Sequence, residues 1–99
     1  IIISSFYQRE IKAYRKLDAH ANLGVLTNFN FQEALTFAET INAYSFHPQY
    51  SLVNEDTVQL IKRKKFKIFT WTVNSLTVIN SLSKLNIDAI ITDDPSLFN

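Results

Sequence analysis

Few side chains in this sequence have both the type and the spacing that chemistry requires. Two histidines, His20 and His47, are the candidates for moving protons. General acid–base work needs a second titratable group within hydrogen-bond reach. His47 ends an apolar run and has no carboxylate nearby in sequence, so it reads as a loop or structural histidine. His20 precedes a strand, at the end of a parallel α/β layer that serves stability rather than chemistry. Asp93-Asp94-Pro95 is the one cluster that could offer oxygens to a hard cation, through Asp93, but such cations want several oxygen ligands. Asp94 reads better as a helix N-cap with Pro95 at the first helical position. Two acids there would also oppose a phosphate. No catalytic residue and no metal-ligand set is therefore expected in the chain. Two aromatic residues at strand ends remain, Trp71 and Phe6. The residues alone leave open whether Trp71 is core or pocket wall, while a phenylalanine at a strand end, such as Phe6, is usually core.

Elements must position these residues, and the pattern supplies them. Apolar runs predict strands over Ile1–Ser5, Leu23–Thr27, Ala43–Phe46, Phe66–Thr72 and Ile87–Thr92. Phe31, Ala34, Leu35, Ala38 and Ile41 recur on one face of a helix. Tyr7, Ile11 and Tyr14 predict a helix before it, Val58, Leu60 and Ile61 one after it, and Leu76, Ile79 and Leu82 the last full one. Asn30, with Glu33 three positions on, predicts a variant capping box. Asn54 caps a helix whose first turn holds Glu55 and Asp56, where the dipole favours acids. Lys62-Arg63-Lys64-Lys65 ends that helix, and a solvated helix end explains it better than a nucleic-acid patch.

Strands alternating with helices at this spacing build a parallel sheet with right-handed crossovers. The period-2 alternation puts Phe69 and Trp71 on one face of their strand and Ile68, Thr70 and Thr72 on the other. Gly24 is the only glycine, so the glycine-rich turns of dinucleotide and P-loop sites are absent. With 99 residues the chain is one domain at most. Five strands of this kind make a small open sheet or a little over half of a (β/α)8 barrel, which usually needs about 250 residues. The apolar fraction of 46% and charged fraction of 19% belong to an ordinary globular chain. A net charge of +1 is too small to argue for nucleic acid or an anionic membrane as partner. No apolar run approaches the ~20 residues needed to span a bilayer. There is no cysteine, hence no disulfide and no thiolate metal site. The chain opens Ile1-Ile2-Ile3 and has no methionine, which reads as a processed or truncated chain.

Read in order, several segments carry a resemblance. They are Ser4-Ser5-Phe6, Leu23-Gly24-Val25-Leu26-Thr27 and His47-Pro48-Gln49-Tyr50-Ser51-Leu52-Val53. Phe69-Thr70-Trp71-Thr72-Val73-Asn74 and Asp88-Ala89-Ile90-Ile91-Thr92-Asp93-Asp94-Pro95 complete the set. A "WTVN" strand end followed by "D-x-I-I-T-D-x-P" is similar to the C-terminal half of glycerophosphodiester phosphodiesterases, and the resemblance runs over essentially the whole chain. It implies an α/β fold that is a partial (β/α)8 TIM barrel, about its last five βα units. Residues 1–99 would form the C-terminal part of a single phosphodiesterase domain. The implied reaction is hydrolysis of glycerophosphodiesters to glycerol phosphate and an alcohol, with a divalent cation, Ca2+ or Mg2+, in the complete enzyme. The family's catalytic histidines, metal carboxylates and Glu-x-Lys pair lie on earlier strands, ahead of Ile1. This part would then contribute pocket walls, with Trp71 and Phe6 as substrate-binding residues. The expected partners are the glycerophosphodiester substrate and, at the sheet edges, the missing N-terminal half or a second copy of this chain. Two departures stand out: Ala89 and Lys65 occupy positions where the family often has glycine. The competing expectation is a non-catalytic α/β domain that assembles through its exposed sheet edges.

Overall fold

The computed structural model describes residues 1–94 and 96. Pro95, with its expected place at the first helical position, and the closing helical turn lie outside the described residues. The chain runs β1 (Ile2–Ser5), α1 (Gln8–Leu17), β2 (Asn22–Thr27), α2 (Phe31–Thr40) and β3 (Ser45–Pro48). A single 3-10 turn (Tyr50–Leu52) leads into α3 (Glu55–Arg63), β4 (Lys67–Thr70), α4 (Leu76–Leu82) and β5 (Ala89–Ile90). All neighbouring strands pair in parallel, in the order β1-β2-β3-β4-β5.

That order decides the architecture. A doubly wound sheet reverses direction at a switch point. Here the strands advance in one direction, so right-handed crossovers place every helix on the same face. The result is a singly wound α/β sheet, a partial (β/α)8 barrel. Val25, Phe46 and Ile68 are aligned across β2, β3 and β4 and join one core with Ile11, Leu35, Ala38 and Ile61 from the helices. A smaller cluster of Val73, Ile79 and Leu82 seats α4. The opposite face carries Gly24, Ser45, His47 and Phe69, which is more polar than the continuous apolar runs suggested.

The element boundaries shift in places. The third strand begins at Ser45 rather than Ala43 and runs to Pro48, so His47 lies inside it and not in a loop. The fourth and fifth strands are shorter than the apolar runs that predict them. Asn30 stands at the N-cap of α2 but its side chain makes no capping bond; its amide oxygen accepts from the Thr27 hydroxyl at 2.8 Å instead. Asn54 does cap α3, and Thr57 completes the box with 2.9 Å bonds in both directions. The basic run that ends α3 is a surface feature with partners: Lys62 pairs with Asp88 at 2.6 Å and Lys64 with Glu39 at 2.7 Å. Lys65 takes a left-handed backbone, φ 66°, at the position where the resemblance places glycine.

The N-terminal end of the sheet is tied by Arg15. Its guanidinium donates to the carbonyls of Ala19 (2.9 Å), Ala21 (3.0 Å), Ile41 (3.2 Å) and Asn42 (3.2 Å), joining the ends of α1 and α2.

Candidate active-site wall

In parallel α/β barrels the chemistry gathers at the C-terminal ends of the strands. Phe6 and Trp71, far apart in sequence, meet there. Their rings are 5.5 Å apart and 87° inclined, an edge-to-face pair. Phe6 keeps 45% of its surface exposed, and Trp71 is half-buried. The expected alternation along β4 holds for its inner residues. Ile68 and Thr70 are fully buried on the helix side, while Phe69 turns its ring to His47 on the other face.

Trp71 is held from several directions. Its indole N–H donates to the His47 carbonyl at 2.8 Å, its own carbonyl accepts from the Tyr50 N–H at 2.9 Å, and it bridges to Gln49. The indole is therefore anchored to β3 through its N–H and meets the Phe6 ring edge-to-face.

His47 sits beneath this pair. Its Nε2 lies 2.6 Å from the Ser45 hydroxyl, and its ring packs edge-on against Phe69 with centroids 5.0 Å apart. Burial pushes its pKa down to about 4, with no charged group contributing. A neutral imidazole bonded to a serine, with no carboxylate to orient it, suits a packing role. Gly24 makes the room: a Cβ there would stand 2.6 Å from His47 Nε2 and 2.9 Å from Ser45 Oγ. His20 lies at the other end of the sheet, exposed, with its N–H donating to Asp18 Oδ1 at 2.9 Å.

At the end of β5, Asp94 Oδ1 accepts from the Ser96 N–H at 3.1 Å and the Ser96 hydroxyl at 2.6 Å, as a capping residue does. Asp93 is exposed, and its N–H donates to Asn74 Oδ1 at 3.0 Å. Among the described residues no three His, Asp or Glu side chains gather where they could hold a metal ion. The described residues thus supply no ligand set for the divalent cation that the resemblance implies for the complete enzyme.

Sequence reasoning missed two residues that organise this end and its opposite. Asn74 bonds across to the segment after β5, and Asp88 accepts from the Ile68 N–H at 2.7 Å and from Lys62. Burial alone would raise the Asp88 pKa. The Lys62 hydrogen bond, the Ile68 N–H and the charges of Lys62 and Lys67 outweigh it, so the carboxyl sits below its ordinary range. The signal for both was their place in the two closing motifs.

The family model of the glycerophosphoryl diester phosphodiesterase family matches residues 1–97. A glycerophosphodiester phosphodiesterase of Caldanaerobacter subterraneus subsp. tengcongensis is 34% identical over 95 residues, covering 96% of this chain and 39% of that protein. Among solved structures, a putative glycerophosphoryl diester phosphodiesterase from Silicibacter pomeroyi superposes with a TM-score of 0.87 at 17% identity, over 97% of this chain and 35% of that one. An Oleispira antarctica phosphodiesterase, solved with the product sn-glycerol-3-phosphate, gives a TM-score of 0.82 at 21% identity, over 98% and 41%. The chain spans about two fifths of the length of the curated relatives it matches. With a strand order that winds one way, an aromatic pair at the C-terminal mouth and a family match over nearly its whole length, the chain belongs to the glycerophosphoryl diester phosphodiesterase family.

Proposed function

We propose that this chain is the C-terminal part of a single phosphodiesterase domain that hydrolyses glycerophosphodiesters to glycerol phosphate and an alcohol. Within it, Trp71 and Phe6 form the apolar wall against which the glycerol or alcohol portion packs. The observation that carries this reading is the edge-to-face pair, one ring fixed by the His47 carbonyl and the other 45% exposed at the strand ends. The product bound by the Oleispira antarctica relative supports the substrate class. The wall orients the substrate and displaces water from its carbon atoms. The acid, the base and the groups that hold a divalent cation belong to the remainder of the domain. That remainder also pairs with the outer edges of β1 and β5, each of which has one neighbour here.

The test uses the full-length protein and the Trp71→Ala variant, assayed for release of glycerol phosphate from glycerophosphodiesters. Withdrawing ~60 Å2 of ring contact at ~25 cal/mol per Å2 is worth about 1.5 kcal/mol, a roughly tenfold loss in kcat/KM that falls mainly on KM. A core role predicts instead a stability loss of about 3–5 kcal/mol with KM unchanged. Absence of turnover by the parent on every glycerophosphodiester, with and without Ca2+ or Mg2+, would defeat the reading.

A further inference from the structure

We propose that Asn74 is a positioning residue: it clasps the end of β5 to the segment after β4 and so holds the Trp71 wall in place. This role rests on the phosphodiesterase reading above. The Asn74 side-chain oxygen accepts two bonds, from the Thr92 hydroxyl at 2.9 Å and from the Asp93 N–H at 3.0 Å. Thr92 is in turn the acceptor for the Asp94 N–H at 3.0 Å. Three consecutive residues past β5 are thereby tied, directly or through Thr92, to one amide oxygen.

The clasp is placed where the backbone alone is weak. β5 has only two residues, Ala89 and Ile90. Past it, the two segments are joined by two backbone bonds, Ile91 N–H to Thr70 O at 2.8 Å and Val73 N–H to Ile91 O at 2.9 Å. These bonds flank Trp71 on its β5 side, as the His47 and Tyr50 bonds hold it on its β3 side. A strand end this short frays unless side chains lock it. Asn74 supplies the lock, and its acceptor oxygen is the group that matters. The same geometry explains why the two most specific motifs of the sequence occur together. The Asn of "WTVN" is the acceptor, and the Thr and first following Asp of "I-I-T-D" are its donors.

The experiment is steady-state kinetics, melting temperature and local amide exchange on the full-length protein, its Asn74→Ala, Thr92→Val and Thr92→Ser variants, and the Asn74→Ala/Thr92→Val pair. Asn74→Ala and Thr92→Val are each expected to raise KM about fivefold to tenfold with kcat changed less than about twofold. Exchange at the Asp93 amide should rise in Asn74→Ala. Thr92→Ser, which keeps the hydroxyl, should restore the parental KM. The double variant should lose less than the product of the two single losses, because the Thr92–Asn74 bond is common to both. An unchanged KM in Asn74→Ala, whatever the melting temperature does, would overturn the proposal. So would a fall in kcat at constant KM, or Thr92→Ser behaving like Thr92→Val. An inactive parent would overturn the phosphodiesterase reading itself, an outcome distinct from an active parent with an indifferent Asn74.

Discussion

Mild acid should loosen this fold through one side chain, His47. Its ring is buried, so its pKa in the folded protein falls to about 4, against about 6.5 for an unperturbed histidine. Between those values the unfolded chain holds a proton that the folded one refuses. Stability is therefore complete above pH 6.5 and declines as the pH falls toward 4, below which both states are protonated. The interval from 6.5 to about 4 corresponds to at most about 3 kcal/mol. Against a total of about 5–15 kcal/mol for a typical domain, that is a visible fraction. Asp88 titrates in a different window. Its folded pKa is lowered, so its contribution is present above the unfolded value of 3.8 and is lost only as pH falls below that. Urea unfolding at pH 7.5, 6.5, 5.5 and 4.5 separates the two. His47→Gln should flatten the curve over this range. Stability that is level between pH 7 and 5 in the parent, or an unaltered slope in His47→Gln, would refute the argument.

Other expectations are as direct. Gly24→Ala should destabilise the protein by about 2–3 kcal/mol, as overpacking of a filled core does, because the new methyl meets the buried His47 ring. The loss should shrink when His47→Ala is made alongside it. Lys65→Gly should raise stability by about 1 kcal/mol by relieving a left-handed backbone at a residue with a Cβ, read as a higher urea midpoint. Asn54→Ala should lower the same midpoint by an amount worth about 1 kcal/mol, the usual value of a cap. The 99-residue chain by itself should leave glycerophosphodiesters intact, and EDTA-sensitive turnover by the pure chain would show that a catalytic group has been overlooked.

Much of this was readable from sequence because it is local. The spacing of Phe31, Ala34, Leu35 and Ala38 located α2, and the alternation along β4 set Phe69 apart from Ile68 and Thr70. Lys65 was visible as a departure, and its φ gives the reason glycine is preferred there. What escaped is non-local. Asn30 looks like a cap until Thr27 competes for the same oxygen. His47 reads as either a loop or a structural histidine until the pairing of β3 with β2 carries the strand through it. The Asn74 clasp spans two strands' ends, and no periodicity reports a bond between side chain and distant backbone. Trp71 stood undecided between core and wall because alternation assigns a face without saying what covers it.

Arg15 has a different kind of consequence. It binds main-chain carbonyls at Ala19, Ala21, Ile41 and Asn42, and a carbonyl is the same whatever residue bears it. An exposed neighbour such as Ala19 can therefore change identity over evolutionary time without loosening that end of the sheet, whereas Asn42, at φ 54°, keeps the left-handed backbone that asparagine and glycine tolerate best. The guanidinium itself has no such freedom, since lysine would offer one compact ammonium in place of a planar fork. Sequence drift is thus tolerated in the loops and concentrated away from a single side chain, which leaves the opposite end, with its aromatic wall, free to be tuned independently.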